Sequence, residues 1–149
     1  MTQLGEGPGP RAWRAYFEGT RMLEDELERR MKRDSGIDLG DFNVLLVLSE
    51  APRERMRMGD LAREISFGPG RLTYRIAALE RRGLVAREAA EGDRRGTDAV
   101  LTPEGRRALR RARPAHARQV DELFLSRLSE AQLVELERVF APLRERLRG

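Results

Sequence analysis

Leu61-Ala62-Arg63-Glu64-Ile65 leads into the turn Phe67-Gly68-Pro69-Gly70, and Arg71-Leu72-Thr73-Tyr74-Arg75-Ile76 then runs on to Leu79-Glu80-Arg81-Arg82-Gly83-Leu84-Val85. Gly92-Asp93-Arg94-Arg95-Gly96 and Val100-Leu101-Thr102-Pro103-Glu104-Gly105-Arg106 follow. The pattern reads as a short helix, a turn, a second helix stopped by glycine, and a basic hairpin. Pro69 suits a first helical position, because its missing N–H has no partner there anyway. Gly83 suits the stop, because glycine tolerates the left-handed backbone that ends a helix.

Outward from this stretch the chain reads as helix. Trp13, Tyr16, Phe17, Thr20, Leu23, Leu27 and Met31 recur at near-heptad spacing between charges, which predicts an amphipathic helix from Arg11 to about Arg33. Phe42 to Ser49 is apolar on most sides and predicts a buried helix with Asp41 as its cap. A third helix is expected over Met58 to Ile65, and short strands over Val85 to Glu88 and Asp98 to Leu101, with residues 91–96 as the turn between them. Thr102-Pro103 opens a fifth helix that carries apolar residues as far as Leu128, with a kink or break at Pro114. Ser129-Glu130-Ala131-Gln132 has capping-box form and opens a sixth helix. Residues 1–10, rich in glycine and proline, are expected to be a flexible tail.

The second helix of the opening stretch can be read face by face. With Leu72 at the centre of the buried side, a rotation of about 100° per residue brings Ile76 and Leu79 beside it. Gly70, Tyr74 and Ala77 then point outward, flanked by Arg71 and Thr73, with Arg75 nearer the core boundary. That exposed half is small or hydrogen-bonding, and no acid appears before Glu80. A helix that approaches base edges in the major groove needs this character. Arg71 fits a guanine edge or a phosphate, Thr73 and Tyr74 a phosphate or a thymine methyl, and Arg75 a phosphate. In the hairpin, Arg94 and Arg95 are placed to reach a narrow minor groove or to clamp phosphates. Asp93 would repel DNA if it pointed there, so it is read as a structural acid that pairs with a nearby arginine and sets the pose of the hairpin.

This order and spacing resembles the MarR family of bacterial winged-helix regulators. The resemblance covers nearly the whole chain and is sharpest at Asp93-Arg94-Arg95 and the Leu-Thr-Pro helix start. It implies a mainly α fold with a small β-hairpin wing (α+β): a winged helix-turn-helix over residues 38–104, with dimerisation arms over 11–37 and 105–149. It implies a homodimeric repressor on a pseudo-palindromic double-stranded operator; a cytoplasmic location is expected separately, from the lack of a membrane-span run and of a signal-peptide pattern. The apolar stripes agree independently, since a lone amphipathic helix is marginal in water and a second copy of the chain is the simplest cover. The family also implies a small effector between arms and winged helix. Trp13, Tyr16, Phe17, Phe42 and His116 are the candidates for an aromatic or phenolic acid, against the plainer reading that the first three pack a dimer core.

Composition limits the alternatives. The 149 residues fit one domain with arms, and 29 basic against 25 acidic residues leave a net charge of +4. Lys32 is the only lysine, so positive charge is almost entirely arginine, whose planar fork suits phosphate and guanine. There is no cysteine and one histidine, which excludes disulfides, thiolate metal sites and His-rich clusters. No cofactor is expected. No nucleophile motif, phosphate-cradling loop or paired carboxylates point to an enzyme. The Gly68-Pro69-Gly70 turn lacks the lysine and preceding strand of a P-loop. No apolar run approaches a membrane span. Two further readings stay open at this point: a winged helix used for protein–protein contact, and a non-specific architectural DNA-binding protein.

Overall fold

The computed structural model describes residues 7–65 and 69–148, apart from the side chains of residues 69, 94 and 148. The elements in order are α1 (Pro8–Ser35), α2 (Leu39–Glu50), β1 (Arg55–Arg57), α3 (Met58–Glu64), α4 (Pro69–Arg81), β2 (Val85–Ala90), β3 (Asp93–Leu101), α5 (Pro103–Leu123) and α6 (Glu130–Arg148). The three strands form one antiparallel sheet in the order β1-β3-β2. The fold is therefore mainly helical with a small β wing.

The core lies where α2 meets α4, the sheet and α5. Phe42, Val44, Leu45 and Leu48 of α2 pack with Leu61, Leu72, Ile76, Leu79, Val85 and Leu109, all buried. Leu72, Ile76 and Leu79 thus occupy the inward face that their spacing predicts. α4 ends in a Schellman-like turn: Gly83 sits at φ 71, its N–H reaches Glu80 O at 2.9 Å, and Leu84 N–H reaches Leu79 O at 3.0 Å.

Several boundaries depart from the sequence expectation, each for a physical reason. α1 starts at Pro8 rather than Arg11, because Pro8 and Pro10 stand at its first and third positions, where a missing N–H loses no intrahelical bond. The cap of α2 is Asp38, not Asp41: the Asp38 carboxylate accepts the Asp41 N–H at 2.7 Å, and Asp41 is a residue of the first turn. α5 runs from Pro103 to Leu123 without interruption at Pro114, and it stops short of Leu128. Pro114 lies on the exposed side of the helix, opposite the buried Ala108, Leu109, Ala112 and Ala115, so its ring does not disturb the packed face. β1 was not expected at all. The capping box of α6 does form, with Gln132 N–H donating to Ser129 Oγ and Ser129 N–H to Gln132 Oε1.

The hairpin turn is only Glu91-Gly92, with Gly92 at φ 77. Ala89 pairs with Thr97 but the next residue, Ala90, pairs with Asp93. Arg94, Arg95 and Gly96 therefore have no partner on β2 and form a bulge in β3, rather than the turn tip expected from the sequence. A bulge bends its strand and re-aims its side chains.

Candidate nucleic-acid interface

α4 presents one side to solvent. Gly70, Arg71 and Thr73 are exposed, Tyr74 is 76% exposed, and Ala77 is half-buried at the edge. An aromatic ring left this open on a helix is unusual, since burying it would release apolar surface from water. Its hydroxyl and ring edge suit a surface that is covered only when a polar partner arrives. Residues 66–68, which include Phe67 and Gly68 of the expected turn, lie outside the described residues.

Arg75 departs from the expected phosphate contact. Its Nη1 donates to Asp38 Oδ1 and Asp41 Oδ1, both at 2.6 Å. Arg82, two turns on, donates to Asp41 Oδ2 at 3.0 Å and to Gly36 O at 3.3 Å. The guanidinium of Arg75 thus faces the start of α2, beside the open side of α4, in a hollow it shares with Gly70, Arg71 and Tyr74. Asp41 is largely buried, and burial raises its carboxyl pKa from the ordinary value; Asp38 adds to that rise, while Arg75 and Arg82 pull against it.

The wing is dense in arginine, and most of that charge is cancelled within the molecule. Arg53 meets Glu91 in a two-pronged pair at 3.0 and 3.0 Å. Arg55 lies 3.1 Å from Asp98 and 3.3 Å from Glu88. Arg57 lies 3.3 Å from Asp93 and 3.6 Å from Asp98. Arg87 lies 2.8 Å from Glu80. Arg95 is the exception: its side chain is exposed, and among the described residues no carboxylate pairs with it. The side chain of Arg94 lies outside the described residues.

Asp93 stands at the start of the bulge. Its carboxylate accepts the Arg95 N–H at 3.0 Å and lies beside Arg57. The backbone hydrogen bond from Arg95, followed by the Arg57 guanidinium, holds this carboxyl below the ordinary value. The geometry has a second requirement. The Nη1 end of Arg57 rests against Gly96, so that a Cβ added at Gly96 would overlap its guanidinium outright. Gly96 is thus a seat for an arginine rather than a turn residue.

Sequence reasoning missed this supporting set, Arg53, Arg55 and Arg57, because β1 is only three residues long. The signal was present as the alternation Arg55-Met56-Arg57, too short to count as a strand pattern. Arg53 and Glu54 both adopt the left-handed region, φ 56 and 53. That strain is held by charge: Arg53 to Glu91, and Glu54 to Arg106 at the start of α5, where Nε to Oε1 is 2.8 Å.

The five aromatic and histidine candidates for an effector do not converge. Trp13, Tyr16 and Phe17 cluster on α1, and Tyr16 stacks on Phe140 of α6 with ring centroids 5.0 Å apart. Phe42 is buried in the core and stacks on His116 at 4.3 Å. Burial lowers the His116 pKa from 6.5. Between α1, the end of α5 and α6 runs an apolar groove lined by Tyr16, Leu23, Phe124, Leu136 and Phe140. Among the described residues no helix is long and apolar enough to cross a membrane, and no group of three acids or histidines is arranged to hold a metal ion.

A helix-turn-helix with an exposed second helix, followed by an arginine-bearing hairpin, defines a winged helix-turn-helix protein. Comparison with known proteins agrees. The MarR family model matches residues 35–96. The regulator MhqR of Bacillus subtilis is 31% identical over 121 residues, covering 80% of this chain and 77% of MhqR. The solved structure of Sco3205, a MarR-family transcriptional regulator from Streptomyces coelicolor in complex with DNA, superposes with a TM-score of 0.89 at 35% identity, over 96% of this chain and 94% of that one. AbsC, a MarR-family regulator from the same organism, gives a TM-score of 0.88 at 36% identity, over 97% and 98% of the two chains. The chain belongs to the MarR family of transcriptional regulators.

Proposed function

We propose that this chain is a homodimeric, sequence-selective duplex DNA-binding repressor that a small aromatic or phenolic acid releases from its operator. The observation that carries the DNA-binding reading is the pairing of two surfaces: the open side of α4, and the bulge that holds the unneutralised Arg95. Gly70, Arg71, Thr73, Tyr74 and Ala77 lie in the major groove, while Arg94 and Arg95 hold the neighbouring backbone or minor groove. Residues 38–104 form the DNA-binding part, and residues 11–37 and 105–149 the dimer arms. Support for the arms comes from their uncovered apolar surface. Trp13, Phe17 and Met22 of α1 are 47–72% exposed, and Val134, Val139, Leu143 and Leu147 of α6 are 37–77% exposed. A surface of that size on a lone chain is unfavourable in water, and a two-fold partner covers it.

The test is a footprint on duplexes enriched by the protein from a random-sequence pool, with sedimentation of the free protein. A dimer protecting two half-sites about 34 Å apart is expected. A chain that stays monomeric at micromolar concentration, or that enriches no sequence, refutes the reading. The second case would favour a protein-contact or architectural role.

The effector enters the groove between α1 and α6. Apolar walls with the Tyr16 hydroxyl at hand suit a phenolic ring. Trp13, the only tryptophan, lies 6.0 Å from Tyr16 by ring centroids. A hydroxybenzoate that releases the DNA should quench Trp13 fluorescence over the same concentration range. Release without quenching would move the site elsewhere.

A further inference from the structure

We propose that Arg75 and Arg82 are positioning residues that lash the recognition helix α4 to the joint between α1 and α2, and that this lashing sets the angle at which α4 enters the groove. The proposal rests on the DNA-binding reading above and assigns the two arginines no contact with DNA.

The joint is built from three helices. The last turn of α1 closes on Gly36, at φ 71, whose N–H reaches Lys32 O at 3.0 Å. The first turn of α2 is capped twice. Asp38 accepts the Asp41 N–H at 2.7 Å, and Glu28 of α1 accepts the Leu39 N–H at 2.8 Å. Three carboxylates, Glu28, Asp38 and Asp41, therefore gather at one helix N-terminus. The helix dipole favours them there, but their mutual repulsion needs counter-charge. α4 supplies it. Arg75 spans Asp38 and Asp41, while Arg82 spans Asp41 and the Gly36 carbonyl. The Arg75 and Asp41 side chains are only 25% and 10% exposed, so the pair is far less screened than a surface ion pair.

Gly40 shows how closely the parts fit. A Cβ there would stand 2.5 Å from Arg75 Cζ, 2.7 Å from Nη2 and 2.8 Å from Nη1. The guanidinium lies directly on the first turn of α2, and any side chain at residue 40 must push it off. Gly40 is in a helix and has ordinary backbone angles, so conformational freedom does not explain the glycine. Room for Arg75 does.

The consequence is mechanical. The open side of α4 points at DNA, while the flank beside it is tied at two points, two turns apart, to the α1–α2 joint: to Asp38 and Asp41 of α2 and to the Gly36 carbonyl. A recognition helix held this way keeps its angle relative to the arm. Loss of the ties leaves the charge that attracts any duplex in place but blurs the register that selects one sequence.

The experiment uses the full chain and two probes: the duplex enriched by the wild-type protein, and a scrambled duplex of equal length. Gly40→Ala, Arg75→Gln, Arg75→Lys and Arg82→Gln are titrated against both at several salt concentrations. Binding to the enriched duplex is expected to weaken about tenfold, the size of one mismatched base pair. Affinity for the scrambled duplex should stay within about twofold for Gly40→Ala, with an unchanged salt slope, because no phosphate contact is lost. Arg75→Lys keeps the charge without the fork, and should fail on the enriched duplex like Gly40→Ala.

A phosphate-binding Arg75 gives a different pattern. Arg75→Gln would then weaken both duplexes and flatten the salt slope by about 0.9 per site, while Arg75→Lys and Gly40→Ala would bind as wild type. That result overturns the proposal alone. A wild-type chain that enriches no duplex overturns the DNA-binding reading and the proposal with it.

Discussion

Replacing Gly96 with alanine tests whether the wing is posed by an arginine lying on a bare backbone. The added Cβ meets only the guanidinium of Arg57, the far end of a flexible side chain, so Arg57 swings away and the strand stays. Arg57 then leaves Asp93 at 3.3 Å and Asp98 at 3.6 Å. Asp98 is buried and keeps Arg55 at 3.1 Å, but its Oδ1 has no hydrogen bond and loses its nearest cation. The lost Asp98 contact costs about 1 kcal/mol. Alanine for glycine in a strand returns about 0.5–1 kcal/mol by restricting the unfolded chain. The two nearly cancel, so the melting temperature should move by less than about 3 °C. DNA affinity should fall nonetheless, because Asp93, still bonded to the Arg95 N–H, is no longer anchored by Arg57 and the bulge that carries Arg95 loses its fixed pose. A double-mutant cycle with Arg57→Ala isolates the cause. Once the guanidinium is gone, Gly96→Ala should cost no further affinity. If Gly96→Ala weakens DNA binding equally with and without Arg57, the seat is not the reason for the glycine and the reasoning fails.

Further outcomes follow from the same geometry. Arg95→Ala should make binding less salt-sensitive by about 0.9 in the log–log slope per wing, equal to about a 3.5-fold smaller loss of affinity between 50 and 200 mM salt. Arg87→Ala, whose charge is already met by Glu80, should leave that slope unchanged. Gly105→Ala places a Cβ onto the Leu84 carbonyl oxygen, which is backbone and cannot swing away. It should therefore destabilise by about 2 kcal/mol or more, read by thermal melts, in contrast to Gly96→Ala. The folded pKa of His116 lies below its unfolded value of 6.5. Stability is therefore full above that pH and falls as pH drops through it toward the folded pKa. Melts at pH 8 and pH 5 should differ in the wild type, and His116→Phe should remove part of the difference. Arg57→Gln should raise the Asp93 carboxyl pKa in an NMR titration yet leave it below the ordinary value, since the Arg95 N–H bond is the larger cause.

What could be read in advance was whatever depends on period and on capping chemistry. The buried face of α4, the glycine stop at Gly83, the Thr102-Pro103 start and the Ser129–Gln132 box are local, and each recurs in the structure where the residues placed it. What could not be read depends on partners far away in sequence. Arg75 and Arg82 meet acids 34–41 residues earlier, and Arg82 a carbonyl 46 residues earlier. A wheel diagram shows that Arg75 sits near the core boundary, but not that two aspartates wait there. Gly96 reads as a turn residue and Gly40 carries no mark of its role, because a sequence does not show what lies across a glycine. The expected turn over residues 91–96 is too long because Asp93-Arg94-Arg95-Gly96 has turn composition, whereas the register shift at Ala89 and Ala90 makes residues 94–96 a bulge. Asp38 was passed over for Asp41 because Gly40 delays the apolar run that marks the start of α2.

That bulge has a consequence for how such a protein changes over time. Arg94, Arg95 and Gly96 have no counterparts on β2, and pairing resumes at Thr97 as though they were absent. A residue gained or lost there alters the length of the finger without sliding Thr97 to Leu101 past Val85 to Ala89. The reach toward a duplex is thus adjustable separately from the body that folds, like a fingertip on a fixed hand.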